Sequence, residues 1–188
     1  MIYLMQALAF LLDVAFGIYI FMLMLRILLQ WAHVDFNHPM TQFLYLVTNP
    51  VVNPLRPYIP RWRALDTPAL FVMLLLQMLK GLLLALLLGY DLSLLGLLVL
   101  SVAELLSLFI YVLIFSLIIE MVLSFISHDP YNPLGTFVYR LNAPLLRPVR
   151  QRLPVMHGFD FSGLVVIILL QLALILIVAP ITDIGKGL

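Results

Sequence analysis

The chain has 188 residues, 64% of them hydrophobic and 10% charged, and its mean hydropathy is +1.16. Soluble domains carry about 25% charged residues, so this chain has too few to cover a water-facing surface, and the class that remains is a protein of membrane-spanning helices. Ten basic against nine acidic residues leave no field for nucleic acid, and the absence of cysteine removes disulfides, thiolate nucleophiles, iron–sulfur clusters and cysteine-type zinc sites.

The first apolar stretch, 4–31, has no basic region before it and runs past the length of a signal peptide's core, so it reads as a retained span. A polar segment, 32–66, follows. The next apolar region, 68–126, is broken by Gly89, Tyr90 and Asp91 and must hold two crossings. Its second part, 92–126, would be about 52 Å long as one straight helix, against a hydrocarbon core of about 30 Å. Either 92–101 is a separate interfacial or re-entrant piece, or the helix is long and tilted. After a second polar segment, 127–160, residues 161–180 make the fourth crossing.

The two polar segments hold ten of the twelve prolines and all four histidines. Apolar runs such as 43–47 and 137–139 beside arginines suit short amphipathic helices and turns in the headgroup layer, with ordinary ordered loops as the alternative. Pro50, Pro54 and Pro60, and likewise Pro144, Pro148 and Pro154, are spaced four and six residues apart, which is expected to break a continuous helix into short turns. The arginine between them, Arg56 or Arg150, is then held at the surface for lipid phosphate, a carboxylate of the same loop, or a partner protein. Asp66 and Asp160 stand where N-cap acceptors are expected. Seven of the ten basic residues lie in these segments. The positive-inside rule therefore places both segments in the cytoplasm and both termini outside.

Shifted by 94 positions, the chain matches itself: Asp35 meets Asp129, Pro39 meets Pro133, Tyr45 meets Tyr139, Pro50 meets Pro144, Arg56 meets Arg150 and Asp66 meets Asp160. The fold expected is thus all-α, four transmembrane helices as two parallel helix-loop-helix repeats, 1–90 and 91–188, with interfacial amphipathic loops. Parallel repeats lower the expectation of a transporter that places substrate between inverted ones.

The segment Gln30-Trp31-Ala32-His33-Val34-Asp35-Phe36-Asn37-His38-Pro39, the run Asn49-Pro50-Val51-Val52-Asn53-Pro54-Leu55-Arg56 and its counterpart Ala143-Pro144-Leu145-Leu146-Arg147-Pro148-Val149-Arg150 resemble the YggT (YlmG) family in its two-repeat bacterial form. The resemblance implies a multi-pass protein of the bacterial inner membrane, linked to cell division and envelope organisation or to osmotic and potassium homeostasis. It brings no catalytic residue.

Ionisable residues inside spans are costly and count as candidate sites. Arg26 and Glu120 occupy equivalent positions in the repeat, and an ion pair between them is expected, with Arg26 reaching to the interface alone and a transport site as alternatives. Lys80, near mid-membrane, should contact Asp13 or Glu104 or be neutral. His33, Asp35, His38, His128 and Asp129 could suggest a metal, but His33 and His38 align with Ser127 and Asn132, so neither metal nor cofactor is expected.

These residues point to a non-enzymatic organising or assembly factor whose partners are lipids, proteins at the cytoplasmic face and a possible second copy. The second reading is a channel or transporter component that affects ion balance. A reporter fused after Leu188 is expected to report the non-cytoplasmic side, and a cytoplasmic signal would reverse the topology.

Overall fold

The computed structural model describes residues 2–32, 39–59, 66–91, 93–126, 133–151 and 162–188. Helix α1 (Ile2–Trp31) is followed by α2 (Pro39–Val52), which runs into a 3₁₀ turn (Asn53–Leu55). Helix α3 (Thr67–Leu88) ends at Gly89, whose φ of 74° lets it take the left-handed conformation that closes a helix, with the N–H groups of Gly89 and Tyr90 both donating to the Ala85 carbonyl. Helix α4 (Leu94–Ile126), α5 (Pro133–Arg150), α6 (Ser162–Ala173), one π-helical segment (Leu174–Val178) and α7 (Ala179–Gly187) complete the chain.

Among the described residues, four stretches are long and apolar enough to cross a membrane: Tyr3–Trp31, Thr67–Leu88, Leu94–Ser124 and Ser162–Gly187. They are apolar on every side, and residues such as Phe10, Leu86, Phe115 and Leu176 face outward, as lipid solvation requires. This is an all-α polytopic membrane protein.

Three sequence expectations are refined here. Residues 94–126 form one helix, so no separate re-entrant piece precedes the crossing. Pro144 and Pro148 do not break the second polar segment into turns, because α5 passes through both. Their four-residue spacing puts both rings on the exposed face, where the carbonyls that lose a donor can meet water or headgroups. Pro180 likewise does not end the last span. The turn before it widens, Ala179 N–H donating to the Leu174 carbonyl five residues back, which relieves the clash that the proline ring would make in a regular helix.

Helix α1 packs chiefly on α3, and α4 on α7, while α3 and α4 form the seam between the two hairpins. The largest core joins Ile20, Leu23 and Met24 of α1, Ala69, Val72 and Met73 of α3, Val112 and Leu113 of α4, and Leu44 and Leu141 of the two amphipathic helices. A smaller one sets Ala103 and Ile110 against Leu174 and Val178. The short helices α2 and α5 thus lie against the same end of the bundle, each on the spanning helix that precedes it.

Small residues set how closely the helices approach. A Cβ added to Gly96 would stand 2.9 Å from the Gly185 carbonyl oxygen, whereas one added to Gly17 would meet nothing within 4 Å. Gly96→Ala is therefore expected to lower stability by about 1–3 kcal/mol, and Gly17→Ala to leave it unchanged or slightly raised. Thermal unfolding in detergent micelles measures both.

Candidate functional site

Arg26 is fully buried, with 0% of its side chain exposed. A guanidinium in such a place needs acceptors for its fixed fork of donors. Its Nε and one terminal nitrogen both donate to Asp66 Oδ2, at 3.2 and 2.9 Å. The other terminal nitrogen donates to Thr48 Oγ1 at 2.7 Å and to Asn49 Oδ1 at 3.0 Å. The Tyr45 ring covers its flat face, 4.2 Å from guanidinium carbon to ring centroid. Thr48 in turn donates to the Leu44 carbonyl, so its lone pair is aimed at the arginine. Outside Tyr45 and Asn49 runs a shallow groove also lined by Gln42 and Leu46.

The expected Arg26–Glu120 pair does not form. In the antiparallel pair α1 and α3, the last turns of one lie level with the first residue of the other, which brings Asp66 to Arg26 inside one hairpin. Asp66 does occupy the N-cap position of α3 and its carbonyl accepts the Leu70 N–H, but its carboxylate caps nothing. Neutralising a buried guanidinium outweighs a cap bond of about 1 kcal/mol, because a buried charge left alone costs about 3–5 kcal/mol.

Glu120, 94 residues after Arg26, carries the opposite charge, and its neighbours change with it. Asn142, at the position equivalent to Thr48, donates from Nδ2 to Glu120 Oε2 at 2.9 Å and accepts the Ser116 hydroxyl at 2.7 Å. Arg150, equivalent to Arg56, reaches Glu120 Oε1 at 3.4 Å. One cluster is an arginine among acceptors; the other is a carboxylate among donors. Beyond it, α5 turns Arg140, Pro144, Arg147, Pro148 and Arg150 outward.

The third cluster lies about 20 Å further along α1, thirteen residues at 1.5 Å each. Lys80 Nζ stands 3.0 Å from Asp13 Oδ1 and 3.3 Å from Glu104 Oε2, reaching both acids, and Gln77 also donates to Glu104. Pro50 and Pro54 are exposed, and Arg56 is half-buried after the 3₁₀ turn. Pro60, Pro154, Asp160 and the histidines at 33, 38, 128 and 157 lie outside the described residues.

The CCB3/YggT family model matches this chain twice, over residues 5–87 and 89–181. The chain belongs to the CCB3/YggT family. It is 37% identical over 166 residues to a protein of Escherichia coli K12 named "Uncharacterized protein YggT", covering 88% of this chain and 86% of that one. An uncharacterized protein of Pseudomonas aeruginosa is 34% identical over 180 residues, covering 95% and 91%. A Vibrio alginolyticus protein named for its place in the proC 3′ region is 34% identical over 171 residues, covering 90% and 92%. No solved structure matches.

Removing either member of the buried pair, by Arg26→Leu or Asp66→Leu, is expected to destabilise the protein by about 3–5 kcal/mol, and the double replacement by less than the sum. Glu120→Gln, in a cluster whose arginine is 39% exposed, is expected to cost about 1 kcal/mol or less. A double-mutant cycle by denaturant titration in micelles checks the ranking.

Proposed function

We propose that this family member is a non-enzymatic organising or assembly factor of the bacterial inner membrane that works through the outward face of α5. The observation that carries the reading is that face itself: Arg140 lies one turn before Pro144 and two turns before Pro148, and Arg147 lies one turn after Pro144, all on an exposed strip with Arg150 at its edge and tied to Glu120. Helical spacing groups these side chains into one basic surface, which fits phosphate or carboxylate groups. A sheltered anchor holds it in place, since Leu141, Asn142 and Leu146 on the opposite side of α5 are buried.

In this reading each half, 1–90 and 91–188, is a helix-loop-helix unit, with the amphipathic helices in the cytoplasm and both termini outside. Pro50, Pro54 and Arg56 present a less charged counterpart beside exposed Phe43 and Leu46. The competing reading, a channel or transporter component, needs a polar route between the Arg26 and Lys80 clusters. Among the described residues that interval is packed with Ile20, Leu23, Val72 and Met73, which favours the organising role.

A photo-crosslinking residue at position 147 is expected to yield discrete adducts in cells, reduced several-fold by Arg140→Glu with Arg150→Glu. Purified protein in liposomes is expected to leave potassium and proton flux at the level of empty vesicles. Flux that disappears in Asp13→Asn and Glu104→Gln variants, with no adduct at 147, would overturn the proposal.

A further inference from the structure

The Lys80 cluster lies on the outside of the bundle rather than within it. Lys80 itself is 13% exposed, but Asp13 and Glu104 are 58% and 55% exposed. Helix α3 ends at Leu88, eight residues beyond Lys80, so the cluster sits about 12 Å inside a span that is itself only about 33 Å long. At that depth there is no bulk water to solvate a carboxylate, and ionisable side chains there face a bundle interior, a water-filled cavity or one another.

Among the described residues the two acids are only half satisfied. Asp13 Oδ1 takes Lys80, and Glu104 Oε2 takes both Lys80 and Gln77. Among the described residues, Asp13 Oδ2 and Glu104 Oε1 receive no hydrogen bond. One ammonium between two carboxylates leaves a formal charge of −1 and two outward acceptors in an apolar surface. Beside them Gly17, one turn along α1 from Asp13, leaves a notch in which an added Cβ would touch nothing. A neighbouring helix backbone can come close there.

We propose that the α1–α3–α4 face around Asp13 and Glu104 is an intramembrane docking surface for a transmembrane helix of another protein that presents a lysine or arginine at matching depth. Such a cation neutralises the excess charge and supplies donors to both free oxygens. A second copy of this chain is not complementary, because it would bring another face of charge −1. The surface lies away from α5 and stands independently of the role proposed for that helix.

The lack of native cysteine permits a single dye at Leu188→Cys. The probe is a synthetic leucine-rich transmembrane peptide with one lysine eight residues from one end and an acceptor dye. Its control has leucine in place of lysine. In lipid vesicles the lysine peptide is expected to associate on the order of tenfold more tightly than the control, as energy transfer reports. Asp13→Asn with Glu104→Gln should bring the two peptides level. Lys80→Met, which removes the internal competitor, should tighten the lysine peptide further, a response that damage to the fold would not give. Equal binding of both peptides to the unmodified face overturns the proposal. So does energy transfer between copies of this chain that is lost in the Asp13→Asn, Glu104→Gln variant, which would assign the face to self-association.

Discussion

A guanidinium sealed from solvent at the edge of the membrane is the constraint around which the first half of this protein is arranged. The Arg26 guanidinium carries donors and no acceptor, so it must find acceptors on whatever packs beside it. The demand reaches two other elements. It holds Thr48 and Asn49 of α2 against α1, and it fixes Asp66, the N-cap of α3, at the same level. Apolar contacts alone would let an amphipathic helix slide along the bundle. Charge-assisted bonds of defined direction give α2 one position.

The second half solves the same geometric problem with the signs reversed. The spanning helix supplies a carboxylate at Glu120, and α5 supplies the amide of Asn142 and the guanidinium of Arg150. This cluster is more open than the first, so its arginine serves two purposes: it holds α5 to α4 and stays partly available at the surface. The consequence is a division of labour, with α2 seated around a closed ion pair and α5 displaying basic residues beside exposed prolines.

Much of the architecture was legible from hydropathy alone, since a run of about 20 apolar residues in a chain with so little charge has one physical outcome. Gly89 marked the turn between α3 and α4 because glycine takes positive φ without strain. Local rules misled at the prolines of α5 and at Pro180, where the cost of a missing donor depends on which face it opens to, and on whether a widened turn can absorb it. The partner of Arg26 was obscured because Asp66 also fitted a helix cap, and because the 94-residue alignment drew attention to Glu120. The register of antiparallel helices held the missing signal. Arg26 lies five residues before the end of α1, and Asp66 immediately before α3. The proximity of Lys80 to Asp13 follows from the same register, since each lies about 20 Å along its helix from that pair.

The opposite charges at positions 26 and 120 also limit how the gene can change. Two copies of one ancestral segment remain exchangeable by gene conversion only while either can stand in for the other. Here a transfer of α5 into the place of α2 would put Ala143 where Asn49 now accepts from Arg26, and the reverse transfer would strip Glu120 of its amide donor. Each half therefore depends on neighbours from its own side.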